Sequence, residues 1–160
     1  MKIVPLLCNS PPEAEALRRY RIQLLNARNI AGREHVAFAV EQARRAFERG
    51  ENISSDFLIE VLVRASATRQ IKVAIERLGI GHTGEIVALG EEIPDEFLRR
   101  YFCRECDDVL EVTQEKYQRL KEIYGITEEE IRTLAEENFQ SKVQVLKELI
   151  KERIALLNAE

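Results

Sequence analysis

Apolar residues recur along this chain with two periods, and each period predicts a different kind of element. Short alternating or continuous apolar runs predict strands over residues 2–7, 21–26, 85–90 and 109–112. Recurrence every three or four residues predicts helices over about 33–49, 94–102 and 114–124, with a long, broken helical segment from Thr127 to the C-terminus. It also predicts a helix that starts after residues 54–56 and runs into residues 62–71, and another that starts at Thr68 and leads to Gly79. We therefore expect an α+β fold, with a small mixed or antiparallel sheet and several packed helices.

Polar residues and glycines place the boundaries of these helices. Thr127 followed by Glu130 has the spacing of a capping box. A short oxygen side chain of the cluster Ser54, Ser55 and Asp56 can cap the second helix, and Thr68 can cap the third. The run GIGHTG at 79–84 contains the G-x-G-x-x-G spacing of dinucleotide sites. That chemistry needs a strand before the glycines and a helix after them. Here the order is reversed, so the glycines predict a helix stop and a turn.

The composition is that of one globular domain covering residues 1–160. Apolar residues make up 45% of the chain and charged residues 32%, and no apolar run approaches the roughly 20 residues that span a bilayer. The N-terminal MKIVPLLC is too short and too interrupted by proline for an export signal. We expect a cytoplasmic protein without a membrane partner.

Charge is distributed unevenly along the chain. The whole chain carries a net charge of −4, but residues 1–77 sum to +4 and residues 78–160 to −8. An acidic chain does not attract nucleic acid in bulk, so RNA binding would need a local cationic site, and no DNA binding is predicted.

The sequence nominates no active site. It contains no P-loop, kinase catalytic loop, nucleophile elbow or HExxH motif, so we predict a protein that is not an enzyme and needs no cofactor. Cys103 and Cys106 form a C-x-x-C, which in other proteins serves as a redox pair or half a metal site. Cys8, His35 and His82 are too scattered to complete a zinc site, so two reduced thiols are expected, with a redox or metal enzyme as the remote alternative.

The stretch LVRASATRQI, residues 62–71, is unusual because two long cations flank a patch of small residues. A helix break within the patch would let Arg64 and Arg69 converge beside the free N–H groups of the next helix, which would favour an anion such as a phosphate. The alternative is a packing corner in which the arginines are solvated or paired with Glu60 or Glu76.

The same stretch resembles a known family. The segments IQLLNA (22–27), His35 with Val36, Gln42 with Ala43, and FLIEVLVRASATRQI (57–71) followed by AIERLG (74–79) resemble the Cgi-type, TPRKB-like small subunit of the KEOPS complex. That subunit binds the kinase-like ATPase of the complex. The resemblance implies a non-catalytic role in tRNA threonylcarbamoyladenosine modification, and binding of the tRNA 3′ CCA end as in archaeal members.

These considerations give two sets of candidate site residues. For the RNA tail they are Arg64, Ser66, Thr68, Arg69, Lys72 and His35. For the kinase-like partner, the C-terminal helix carries more apolar residues than one stripe needs, and the candidates are Val145, Leu149 and Leu156. The alternative function is a purely protein-binding scaffold that regulates the ATPase without contacting RNA.

Overall fold

The α+β prediction is confirmed by a computed structural model, which describes residues 1–13 and 15–159. Among these residues, eight helices pack around and beside a four-stranded sheet. In chain order the elements are β1 (Lys2–Cys8), α1 (Ala16–Tyr20), β2 (Gln23–Asn26), a 3-10 turn (Ala27–Asn29), α2 (Arg33–Arg49), α3 (Phe57–Ala65), α4 (Ile71–Leu78), β3 (Glu85–Gly90), α5 (Asp95–Arg100), β4 (Cys103–Glu105), a 3-10 turn (Asp107–Leu110), α6 (Gln114–Tyr124), α7 (Glu128–Leu134), α8 (Phe139–Ala155) and a last 3-10 turn (Leu156–Ala159).

The sheet has the order β2-β3-β1-β4, and all of its pairings are antiparallel. Side chains alternate between its faces because successive residues of a strand point in opposite directions. One face packs against α2, α3 and α4 through residues such as Leu25 and Val87. The other face carries Leu6 and Ile86 and packs against Phe97 of α5. A third apolar cluster joins α6, α7 and α8 beside α2.

Several boundaries predicted from the sequence are confirmed. The Asp56 carboxylate accepts hydrogen bonds from the N–H groups of Leu58 and Ile59 at 2.9 and 3.1 Å and caps α3. Thr127 and Glu130 form the capping box at the start of α7. The glycine-rich run 79–84 follows a helix and precedes a strand, as a helix stop and turn should.

Two boundary predictions are wrong. Residues 109–112 are not a strand, because a 3-10 turn ends at Leu110. The fourth strand is instead Cys103–Glu105, a short edge strand with two exposed residues that gives no apolar alternation to detect. Thr68 does not cap α4, which begins after Gln70. Its hydroxyl accepts from the Gln70 N–H at 3.2 Å within the preceding turn.

The cysteines also differ from the prediction. Cys103 forms a disulfide with Cys8, its direct cross-strand neighbour, while Cys106 remains a free thiol. Cys8 and Cys103 belong to the α5 face of the sheet, and Cys106 packs on the α2 face. The sheet therefore separates the two members of the C-x-x-C. Within the described residues, no group of three or more His, Cys, Asp or Glu side chains is placed to hold a metal.

Candidate functional site

The stretch 62–71 forms the corner between α3 and α4. Ser66 is fully buried, and its hydroxyl donates to the Val63 carbonyl at 2.9 Å. Ala67 has a φ of 56°, in the left-handed region that ends many helices and that usually holds glycine. Its N–H donates to the Arg64 carbonyl at 3.0 Å. The small residues therefore make a tight reversal of the chain between the two helices.

Side chains from three other helices satisfy the carbonyl groups at the end of α3. The Ala65 oxygen accepts from His35 Nε2 at 2.8 Å and from the Tyr124 hydroxyl at 3.3 Å. The Ser66 oxygen accepts from an Arg77 guanidinium nitrogen at 2.8 Å. Since unpaired buried carbonyls are costly, these contacts fix how α2, α4 and α6 meet the corner.

His35 is part of this packing and does not reach the surface. It is only 4% exposed, and its Nδ1 accepts from the Ala31 N–H at 3.0 Å, which leaves Nε2 as the donor to Ala65. Burial lowers the pKa of His35 to about 4, so the ring is neutral at pH 7. The predicted RNA contact at His35 is therefore corrected to a structural role, and Ser66 is corrected likewise because it is fully buried.

Arg64 is also a core residue. Its side chain and that of Glu60 are both fully buried, and the two form an ion pair at 2.8 Å. The remaining guanidinium nitrogens donate to Asn158 Oδ1 at 2.6 Å and to the Glu51 carbonyl at 3.2 Å. The other Glu60 oxygen accepts from the N–H groups of Ile53 and Ser54. The predicted RNA contact at Arg64 is thus corrected, since every nitrogen of its guanidinium group already has a partner within the protein.

Arg69 and Lys72 are the predicted RNA-site cations that lie at the surface. Both are exposed, and Thr68 beside them is half-buried. One Arg69 nitrogen donates to the Leu157 carbonyl at 2.9 Å, which ties the last turn of the chain to the corner. Neither cation has a carboxylate within 4 Å in the part of the chain that the structure describes. Their charges remain available to an anion.

An apolar groove runs alongside the corner, between α3, α4 and the edge strand β2. Its volume is about 210 Å³. Ile71 and Ile75 form its outer wall and are 39% and 55% exposed, which is unusual for isoleucine. The groove is lined by Gln23, Leu24, Ile59, Leu62, Ile71, Ile75, Gly79 and Ile80.

This groove was not recognised in the sequence, although a signal for it existed. The helix α4 carries Ile71, Ala74, Ile75 and Leu78, and only Ala74 and Leu78 are buried. With Val73, five of its eight positions are apolar, which is more than so short a helix needs to cover the core, and Ile71 and Ile75 form the groove wall. The periodicity alone could not tell which pair faces outward.

The predicted partner residues on the C-terminal helix have mixed positions. Leu149 is 7% exposed and belongs to the third apolar cluster, so it is corrected to a core residue. Val145 is half-buried against the same cluster. Leu156 is 47% exposed, but it lies in the final 3-10 turn. The surplus of apolar residues on α8 is explained by packing against α6 and α7.

Comparison with known proteins identifies the family of this chain. The family model for the kinase binding protein CGI-121 matches residues 13–158. The chain belongs to the CGI-121 family. A relative in Methanocaldococcus jannaschii, named regulatory protein Cgi121, is 34% identical over 110 residues, which cover 66% of this chain and 71% of the relative. The name of the family describes kinase binding, and the name of the relative describes regulation.

No helix among the described residues has the length and apolarity needed to cross a bilayer. Within the CGI-121 family, this chain offers an apolar groove beside two exposed cations, Arg69 and Lys72, a combination suited to contacts with macromolecules.

Proposed function

We propose that this protein is a non-catalytic subunit of a KEOPS-type tRNA-modifying complex and that it binds the kinase-like ATPase of that complex through the groove between α3, α4 and β2. The observation that supports the proposal is the pair of exposed isoleucines, Ile71 and Ile75, on a family member described as kinase-binding. Apolar residues at the centre of an interface contribute most of the binding free energy when they fill a pocket on the partner.

The experiment is a binding titration between this protein and its kinase-like partner. A charge at Ile75 would have to be desolvated in the complex, so Ile75→Arg should weaken binding by about tenfold or more, as for hot-spot residues in general. Leu134→Arg is the matched control, because Leu134 is equally apolar and 67% exposed but lies on α7. Equal affinity of the two variants would refute the groove as the partner site.

A second contact, with the 3′ CCA end of tRNA, is proposed for the rim of the corner. It is supported by Arg69 and Lys72, which are exposed, have no carboxylate partner in the described chain and closely follow the half-buried Thr68 in the sequence. These side chains can bind phosphates of a single strand, and the adjacent tight turn leaves room for its backbone. Arg64, Ser66 and His35 support this surface from inside and do not touch RNA.

Binding to intact tRNA and to the same tRNA trimmed of its CCA end, at one stated salt concentration, tests this contact. We expect trimming to weaken binding, and the double variant Arg69→Glu/Lys72→Glu to reduce affinity for the intact tRNA. Arg18→Glu/Arg49→Glu, which reverses two exposed charges on α1 and at the end of α2, changes the net charge by the same amount and controls for overall charge. Equal binding of both RNAs would refute the contact with the CCA end. Absence of binding to either RNA would leave the protein as a scaffold that regulates the ATPase without RNA, which its net charge of −4 would suit.

A further inference from the structure

A second surface, on the opposite side of the sheet from the α3–α4 corner, displays an unusual aromatic residue. Phe102 lies in the turn between α5 and β4, and it is 68% exposed. Its φ is 51°, in a region that bulky residues rarely occupy. The chain thus accepts both an exposed ring and an unfavourable backbone conformation at one position. Strain of this kind is typically retained at binding sites.

The backbone on both sides of Phe102 is held firmly. Its N–H donates to the Arg99 carbonyl at 3.3 Å, and its own carbonyl accepts from the Asn9 N–H at 3.2 Å. The following residue, Cys103, is joined to Cys8 by the disulfide. Two hydrogen bonds and one covalent bond therefore fix the turn, so the ring is presented with little conformational freedom left to lose on binding.

Three arginines lie within three residues of Phe102 in the sequence, in an otherwise acidic half of the chain, and the Arg100 guanidinium lies 5.8 Å from the centroid of the neighbouring Tyr101 ring. Arg99 and Arg100 occupy the last turn of α5, and Arg104 follows on β4. All three are exposed, and none has a carboxylate oxygen within 4 Å among residues 1–13 and 15–159. The helix dipole of α5 accounts for a preference for cations at its end but not for the exposed phenyl ring.

We propose that the turn around Phe102 is a stacking platform for single-stranded nucleic acid. The ring would stack on a base, and Arg99 and Arg100 would bind the flanking phosphates. Sites that bind single strands without sequence preference combine these two features. A protein partner would need an apolar surface around the ring to exclude water. The exposed residues close to Phe102 in the sequence are instead Arg99, Arg100 and Arg104, and the segment that pairs with its turn carries the polar Asn9 and Ser10. This proposal does not depend on the α3–α4 corner. Only the expectation that the bound single strand belongs to tRNA rests on the proposed function.

The absence of tryptophan from this sequence allows a direct test. Phe102→Trp places a single indole at the platform, and titration with a short oligouridylate and a short oligoadenylate at low salt should quench its fluorescence as bases stack. Leu134→Trp is the matched control, since it places the single indole at an exposed apolar position on α7. Heparin is the base-free polyanion, and it should compete for the arginines without quenching the indole.

A second set of variants makes the test independent of the new indole. With fluorescently labelled oligouridylate, Phe102→Ala should lower affinity about tenfold, in the range of losing one stacked base. Arg99→Glu/Arg100→Glu should reduce both the affinity and its salt dependence. Arg69→Glu/Lys72→Glu, in the other surface, should leave the quenching of the Phe102→Trp indole unchanged, which separates this proposal from the tail contact.

The outcomes are distinct. Quenching of the Phe102→Trp indole by oligonucleotides, together with the affinity loss of Phe102→Ala, supports the platform even if trimming the CCA end of tRNA has no effect. Three results would overturn it: equal quenching of the Phe102→Trp and Leu134→Trp variants, unchanged affinity of Phe102→Ala, or a change in the fluorescence of Phe102→Trp caused by the kinase-like partner and not by RNA. The last result would identify the turn as a protein-docking surface.

Discussion

Arg64 and Arg69 stand in the same short stretch of sequence, yet one stabilises the core and the other lies at the surface. Arg64 is fully buried, pairs with Glu60 and uses its remaining nitrogens on Asn158 and Glu51. Arg69 is exposed and makes one hydrogen bond, to the Leu157 carbonyl. The corner between α3 and α4 thus has an inner layer that fixes its shape and an outer rim that remains available for binding.

This difference shows why the sequence pattern at residues 62–71 supported two interpretations, an anion-binding site and a packing corner. The helix break does bring both arginines toward the same region, since each contacts the last turn of the chain. However, the buried carboxylate of Glu60 determines which arginine turns inward, because a buried charge requires a partner. We therefore assign stability at this corner to the inner layer, and the proposed binding to the rim formed by Arg69, Lys72 and the neighbouring isoleucines.

The largest expected effect is on stability, from breaking the buried ion pair. Arg64→Ala leaves Glu60 as an unpaired charge in the core and should lower the free energy of unfolding by about 3–5 kcal/mol. Arg69→Ala removes one partly solvated hydrogen bond and should cost no more than about 1 kcal/mol. Denaturant unfolding of both variants measures the difference. Similar losses in the free energy of unfolding for the two variants would contradict the distinction between a stabilising inner layer and an exposed rim.

The paired variant sharpens this prediction. Replacing both partners by apolar residues, Glu60→Leu with Arg64→Met, removes the stranded charge and should recover much of the lost stability. The carbonyl of Glu51 and the N–H groups of Ile53 and Ser54 lose partners in the process, so recovery should be incomplete. If the double variant is no more stable than Arg64→Ala, the cost lies in the packing and hydrogen bonds rather than in the unpaired charge.

The next effect is a pH dependence that comes from the inner layer. The pKa of His35 falls from about 6.5 in the unfolded chain to about 4 in the folded protein because the ring is buried. Below pH 6.5 the unfolded chain binds a proton that the folded protein does not, so stability falls as the pH falls toward 4. The expected loss is about 2 kcal/mol between about pH 6.5 and pH 5, at about 1.36 kcal/mol for each pH unit.

Other shifted groups titrate outside this range. The pKa of Glu128 is lowered to about 2, chiefly by hydrogen bonds from Tyr117 and Lys121, so its contribution is lost only below the carboxyl pKa of the unfolded chain. Burial lowers the pKa of Lys116 to about 8, so its contribution to stability changes only at alkaline pH.

Unfolding curves of the native protein and of His35→Gln between about pH 5 and 7 isolate the effect of His35 on stability. A native stability that is flat over this range would contradict the neutral buried ring.

The sequence predicted the elements of this fold better than the roles of its polar residues. Long periodic helices, the caps at Asp56 and Thr127 and the apolar strands could be read directly, because local patterns determine them. Strand β4 could not, since its residues are mostly exposed and its place depends on pairing with β1 and on the disulfide. Whether Arg64 or Arg69 is buried depends on Glu60 and on the distant Asn158, which no local pattern reveals.

The smallest expected effect concerns the turn between the inner layer and the rim. Ala67 adopts a φ of 56° while its methyl group packs against the third apolar cluster. Ala67→Gly relieves the backbone strain, which is worth about 1 kcal/mol, but loses the methyl contact and gives the unfolded chain more freedom. The net change in the free energy of unfolding should be within about 0.5 kcal/mol.

Ala67→Val, with a branched side chain at positive φ, should instead lower the free energy of unfolding by more than about 1 kcal/mol. Thermal unfolding of this matched pair tests the turn, and a valine variant as stable as the native protein would show that the corner relaxes and does not rigidly separate the two layers.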